Sequence, residues 1–397
     1  MQRIPRVAIL TGVSQRSDRR TIQGVVAYAR ECAHWDLYIA EEPLARLPKR
    51  KKWDGQGVIV NFDDRETALA ARGLTIPVVG FGGGRGWYDP ASRIPYFTTD
   101  NVGIGRLAAR HLLDCGFSRL ACYGDRPGRL HAWCEERIQA FCSEARLAGV
   151  ACSILRARPA TAQNWGELQS ELSAWLTALP KPVGVLACTD YRARHVLQVC
   201  RTIGVRVPDD VAVVGVDNDE MLCALTTPPL TSIEQGHLQI GYEAAALLDR
   251  LMARKKTAQL RWVIPPERLV ARQSTDVVAC QDPDLAAAVR FIRQQACTGI
   301  DVQAVQKATH MSRSTLDRKF LATLGRTVHA EIQRVQVDRA RQLLTGTNLL
   351  VKQIAKRCGF RYAEYMTMVF QRHTGQSPIQ YRQQAAGTPG RSRVAPS

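Results

Sequence analysis

From residue 6 to residue 275, short continuous apolar runs alternate with amphipathic stretches. The runs RVAILTG, DLYIA, GVIVNF, IPVVGF, YFTTDN, RLACYG, ACSILRA, VGVLACTD and VAVVGVDND predict strands. The stretches TIQGVVAYAREC, ETALAARG, VGIGRLAARHLLDCG, HAWCEERIQAFCSEARLAGV, NWGELQSELSAWLTAL, ARHVLQVCRTIG and GYEAAALLDRLMAR predict helices, the last leading into RWVIPPERLVARQST. A strand that is apolar on both sides must be covered on both faces, which parallel sheets flanked by helices achieve. The alternation restarts after residue 150, so two α/β lobes with parallel sheets are expected within residues 1–276.

Beyond a loose segment, Gln273–Asp284, the period becomes helical throughout. Val302, Val305, Ala308 and Met311 recur at steps of three. Ser312 then offers an N-cap, and Leu316 and Phe320 share the face of a second short helix. The outline returns in VKQIAKRCGF, with Ile354, Ala355 and Cys358 inward and Gly359 at the turn. YAEYMTMVF follows, with Tyr365, Met366, Val369 and Phe370 as its apolar side. TVHAEIQRVQVDRARQLLTG is long enough to be a helix connecting the two pairs, and each pair has the outline of a helix-turn-helix. The expected organisation is completed by a linker at 277–284, an all-α domain at 285–387 and a disordered tail at 388–397.

With the closing HTGQSPIQYR, residues 283–385 resemble the arabinose-regulator (AraC-type) family of transcription regulators. Gly359, Phe360, Phe370, Thr374, Gly375, Pro378, Tyr381 and Arg382 carry the signature. An unrelated helical bundle with a basic surface is the plain alternative, and two tandem units with this tail weigh against it. The resemblance implies binding to double-stranded DNA at promoter half-sites, with RNA polymerase and a second copy of the chain as further partners. The second helix of each pair would enter the major groove. Arg313, Ser314, Asp317, Arg318 and Lys319 belong to the first such helix, and Arg361, Glu364, Thr367 and Met368 to the second. Arg318 is the best base reader, because its fork spans the two acceptors of guanine. Met368 stands where many members carry a longer polar side chain, so weaker discrimination is expected there.

Charge agrees with a polyanionic partner. The chain carries a net +18, and residues 282–397 alone hold 18 Lys+Arg against 7 Asp+Glu. A 45% hydrophobic and 23% charged composition is that of an ordinary folded protein. The sequence shows neither a signal peptide nor a run long enough to span a membrane, so a cytoplasmic protein is expected. The 12 cysteines form no C-x-x-C pair; Cys122, Cys188 and Cys200 read as reduced core residues, and no metal or cofactor is expected. Gly82-Gly83-Gly84 leads into Trp87 and Pro90 rather than a helix start, which argues against a dinucleotide site.

Open α/β sheets bind ligands at the carboxyl ends of their strands. Polar residues gather there at Ser14–Arg19, Asn61–Asp64, Thr189-Asp190 and Asp217–Asp219. The candidate ligand-binding residues are Arg16, Asp63, Phe81, Arg137, Trp165, Asp190, Arg192, Asp217, Asn218 and Gln235. Carboxylates and guanidinium forks suit the paired hydroxyls of a sugar, and an aromatic ring suits its C–H face. The plain reading of an Asp at a strand end is a cap or turn former. The pattern resembles the sugar-binding lobes of the lac- and gal-repressor type and the periplasmic sugar-binding proteins. That resemblance implies ligand contact by Arg137 in its ER-x-x-x-F setting, the polar residues of VLACTD and the Asp of VGVDN. Those repressors carry the DNA reader ahead of the first strand, whereas here it follows the lobes. WDGQGVIVNFDD, NW, TDYRARHVLQVC, VDN, GYEAA and RQSTD resemble the xylose-operon activator family, which joins the same two modules and implies D-xylose as effector.

The favoured function is therefore a sugar-responsive DNA-binding activator of xylose catabolism genes. The alternative is a sugar-modifying enzyme with a basic accessory domain. Glu135 and Glu136 are its best acid pair, yet adjacent helical residues point to different faces. His111 and His195 are expected on helix surfaces.

Overall fold

The computed structural model describes residues 4–39, 55–276, 282–347 and 349–386. It falls into two compact units, Met1–Val277 and Val278–Ser397. The first unit begins β1 (Arg6–Leu10), α1 (Arg16–Tyr28), β2 (Asp36–Ile39), β3 (Gly57–Asn61), α2 (Arg65–Ala71), β4 (Val78–Phe81) and β5 (Tyr96–Thr99). It continues with α3 (Asn101–Asp114), β6 (Arg119–Asp125), α4 (Ala132–Leu147), β7 (Ala151–Ala157), α5 (Trp165–Ala178), β8 (Val183–Ala187) and α6 (Asp190–Thr202). Then come β9 (Val211–Val216), α7 (Glu220–Leu225), β10 (Thr231–Glu234), α8 (His237–Met252), β11 (Arg261–Ile264) and β12 (Arg268–Val270).

The strands form two sheets, ordered β11-β5-β4-β3-β1-β2 and β12-β10-β9-β8-β6-β7. The first is parallel throughout, as the continuous apolar runs require. In the second only β12 is antiparallel, because it follows β11 through a short turn with no crossover helix. Central strands β3, β8 and β9 are buried along their whole length, whereas edge strands β2 and β11 alternate in exposure.

The chain passes between the sheets three times: after β5, after β10 and between β11 and β12. These passages lie side by side. The Asp100 backbone N–H donates to the Ile264 carbonyl (2.9 Å) and the Glu267 N–H to the Glu234 carbonyl (2.9 Å). A Cβ at Gly236 would press on Ile264 and Pro265. After the second passage, α8 returns to cover the first sheet beside α1. Gly24 and Gly241 let the two backbones touch there, because a Cβ on either would strike the other helix.

The second unit contains α9 (Pro283–Gln295), α10 (Val302–Thr309), α11 (Arg313–Leu324), α12 (Val328–Gly346), α13 (Val351–Arg357), α14 (Ala363–Thr374) and α15 (Pro378–Ala386). Asp301, Ser312 and Thr327 accept backbone N–H groups as N-caps. α12 serves two cores. Its first half, with Val328 and Ile332, packs with Val305, Leu316 and Phe320. Its second half, with Val337, Ala340 and Leu344, packs with Ile354, Met366 and Phe370. Tyr365, expected on the apolar side, is instead 41% exposed, and its hydroxyl accepts a hydrogen bond from Gln333 (2.9 Å).

The segment expected to be loose is ordered at both described ends. Gln273–Thr275 forms a 3-10 turn with Ser274 and Thr275 buried, and Asp282 caps the first turn of α9. Residues 277–281 of the expected linker and the expected tail lie outside the described residues.

Candidate functional site

Asp217 leaves β9 at φ 114° and Asn218 follows at φ 48°, a left-handed backbone that non-glycine residues keep only when neighbours impose it. Here four neighbours do so. Arg16 Nη1 donates to the Asp217 carbonyl (2.8 Å), and Gln235 Nε2 to its carboxylate (2.5 Å). Ser232 Oγ accepts the Asn218 N–H (2.9 Å), and Asp190 accepts the Asp219 N–H (2.7 Å). Arg16 also meets Glu234 (2.9 Å), so a side chain of the first lobe is fastened to the second.

Arg137 gathers the passages between lobes. Its buried guanidinium donates to Asn101 Oδ1 (3.0 Å), the Cys188 carbonyl (2.6 Å) and Gln235 Oε1 (3.0 Å). Asn101 and Gln235 lie on the first two passages. One helical turn earlier, the Trp133 ring lies 4.7 Å from that guanidinium. A Cβ at Gly84 would stand 3.1 Å from Trp133, so the loop after β4 reaches α4.

The first lobe contributes acids. Asn61 Nδ2 donates to Thr11 Oγ1 and to Asp18 Oδ1 (3.1 Å each). Burial pushes the Asp18 carboxyl up to about 6, and it raises Asp63 as well. It also raises Asp217, although Arg137 opposes the shift; Asp190 is raised by burial and then by the Asp217 charge. His237 beside them is held down at about 3 by burial and by Arg137, Arg16 and Arg20. Acids, a guanidinium fork and an indole face thus meet where the lobes join, a donor and acceptor set suited to a small polyol.

Of the residues expected to bind ligand, Arg16, Arg137, Asp217 and Gln235 are brought together. Asp63 braces the loop after β4 by accepting the Arg85 N–H (2.9 Å). The other five have partners of their own. Asp190 is fully buried behind the site, accepting from Ser232 Oγ (2.6 Å). Asn218 Oδ1 accepts from Arg272 (2.7 Å). Phe81 packs in the first lobe's core with Val79 and Phe97. Arg192 is committed to the Tyr123 hydroxyl (2.7 Å), Asp125 and the Arg158 carbonyl (2.8 Å). The Trp165 ring packs on His195 (4.6 Å) against the second lobe's core. His195 is therefore no surface residue; it is 6% exposed, and His111 is bonded to Thr275 Oγ1 (2.8 Å). Trp133 was not singled out from the sequence, although its place four residues before Arg137 puts both on one helix face.

In the second unit, α11 and α14 present the expected DNA-facing residues. Ser314 and Arg318 are exposed, and Arg313 is exposed beside Asp317 (3.8 Å). Lys319 is instead paired with Asp282 (2.7 Å) and Asp284 (3.2 Å), holding the first turn of α9. On α14, Glu364 and Met368 are exposed, and the Thr367 hydroxyl donates to the Ala363 carbonyl (2.9 Å). Just ahead of that helix, Arg361 lies over the Tyr362 ring (5.5 Å).

Two α/β lobes meeting at a polar site, followed in the same chain by two helix-turn-helix units, define a ligand-responsive DNA-binding transcription regulator. Residues 6–102 match the XylR N-terminal domain, residues 109–275 a periplasmic binding protein-like domain and residues 305–384 a helix-turn-helix domain. The chain is 36% identical to the xylose operon regulatory protein of Escherichia coli (strain K12), covering 95% of this chain and 96% of that one. It is 33% identical to the protein of the same name from Haemophilus influenzae, covering 95% and 98%. A solved structure of a xylose-binding transcription activator, xylR, superposes with a TM-score of 0.72 at 34% identity, covering 96% of this chain and 98% of that one. The chain belongs to the xylose operon regulatory protein family. Among the described residues no helix is long and apolar enough to cross a membrane.

Proposed function

We propose that D-xylose is the effector and that it binds where the lobes join, against Asp217, Arg16, Arg137 and Gln235, with Trp133 under its C–H face. The observation that carries this reading is the clamp on Asp217, which draws on side chains of the first lobe and of the passages between lobes. A ligand that competes for those bonds favours one lobe arrangement over another, and only such a difference in affinity shifts their balance. The chain then acts in the cytoplasm as a homodimeric activator of xylose catabolism genes, reading promoter half-sites through α11 and α14 and engaging RNA polymerase. Its relatives are named as regulators, and Glu135 and Glu136 are occupied by Arg156 and Asn101, so sugar turnover gains no support. Thermal unfolding with a panel of pentoses and hexoses tests the effector. D-xylose at ~100 Kd should add ~2.7 kcal/mol of stability, and an unmoved transition would contradict the reading.

A further inference from the structure

The loop that presents Asp217 is bonded to the segment by which the chain leaves the sensor. While Asp217 faces the site, Asn218 turns the other way and its amide oxygen accepts from Arg272 Nη2 (2.7 Å). Arg272 is itself locked to the second lobe. Its Nη1 donates to the Leu230 carbonyl (2.8 Å), its N–H to Thr231 Oγ1 (2.8 Å), and its carbonyl accepts from the same hydroxyl (2.9 Å). Ser274 then donates to the Val213 carbonyl (2.6 Å) and accepts the Thr231 N–H (2.8 Å). Asp276 is the last described residue before Asp282, the N-cap of the first helix of the DNA-binding unit.

We infer that the Asn218–Arg272 hydrogen bond carries the effector signal from the Asp217 loop to the exit segment, with Asn218 and Arg272 as positioning residues that touch neither sugar nor DNA. The inference rests on the reading of Asp217 as an effector contact. Two consecutive residues held at positive φ make a loop that relaxes once its bonds are exchanged, so a new partner on Asp217 displaces its neighbour Asn218. The Arg272 fork is planar and held on its other arm by Leu230, so loss or movement of the Asn218 bond alters how Arg272–Thr275 is seated. A coupling of this kind is a free energy shared between two sites, and it is reported by the ratio of DNA affinities with and without sugar.

The test uses the full chain and a DNA duplex selected by the wild-type protein from a random pool. Arg272→Met keeps the stem and removes the fork. Asn218→Gly removes the amide without opposing the left-handed backbone. Asn218→Asp keeps an acceptor for Arg272. Calorimetry with D-xylose and anisotropy with the duplex are read for each. Arg272→Met and Asn218→Gly should bind D-xylose within about threefold of wild type, yet their DNA affinity should no longer change with sugar. The double variant should lose nothing further, and Asn218→Asp should retain the wild-type ratio. An unchanged ratio in both Arg272→Met and Asn218→Gly would overturn the inference. A wild-type chain that fails to bind D-xylose would remove the underlying reading, and the inference with it.

Discussion

Burial keeps two histidines of the sensor from taking up a proton: His237 is held at about 3 and His195 at about 4, each chiefly by desolvation and secondarily by nearby arginines. An unfolded histidine titrates near ~6.5, so below that pH the unfolded chain binds more protons and stability falls as pH falls. Their contribution is present in full above ~6.5 and lost progressively towards about 4 and then 3. Each histidine should therefore add up to about 1.4 kcal/mol per pH unit to the fall in stability between pH 7 and 4, against the opposite trend of the raised Asp18 and Asp63 carboxyls. The His195 share is the difference between wild type and His195→Gln in urea unfolding. Asp217→Asn keeps the shape but alters the charge, and should weaken D-xylose binding by about tenfold or more in calorimetry while non-specific DNA affinity stays unchanged. At this scale the sequence was readable in kind but not in direction. Asp190, Asp217 and Asn218 all follow strands closely, but Asp217 and Asn218 take a left-handed backbone while Asp190 opens α6 with its carboxylate taken by Ser232 and the Asp219 N–H, and neither is marked in the sequence. The periodicity of α4 would have given Trp133, since it shares a face with Arg137.

Secondary structure was legible along the longer apolar runs, whereas the short α7, β11 and β12 went unassigned. β10 escaped because its sequence is Thr231-Ser232-Ile233-Glu234, polar yet wholly buried. Its side chains are paired instead, Thr231 with Arg272, Ser232 with Asp190, and Glu234 with Arg16, Arg20 and Arg268. In the DNA-binding unit the helix pattern predicted α10 to α14 and left α9 and α15 unassigned, and α12 shows what spaces the two readers. Glu331 on its first turn is fully buried; burial raises its carboxyl, but Arg334 and Arg326 outweigh that and hold it below the usual carboxylate range. Because the folded value is depressed, this support is present above the unfolded value and lost as pH falls through the folded one. Glu331→Gln should cost about 1–3 kcal/mol in thermal or urea unfolding, less than the ~3–5 kcal/mol of a fully buried broken pair because both arginines keep some solvent. On α11, Arg318→Ala should cost about 1–3 kcal/mol of binding and relax preference at one or two base positions. If binding selections on randomised half-sites show an unchanged preference, Arg318 contacts phosphate only.

Across the whole molecule, two modules that each fold around their own core share one chain, and their order places the DNA reader after the sensor. Two readers in one unit joined by the 19-residue α12 should occupy successive major grooves, with contacts about 10 bp or ~34 Å apart. A footprint confined to one turn per chain would refute that geometry. The two-lobed fold and the tandem readers were written in the sequence as periodicity. The three passages between lobes were not, because strand partners and the return of α8 to the first sheet depend on contacts far apart along the chain. The most direct measurement is the affinity of the full chain for its selected duplex, with and without saturating D-xylose, for wild type and Asp217→Asn. A sugar-dependent change of about tenfold in wild type, lost in Asp217→Asn, is the expected result. Equal affinities with and without D-xylose in wild type, or an Asp217→Asn response matching wild type, would contradict it.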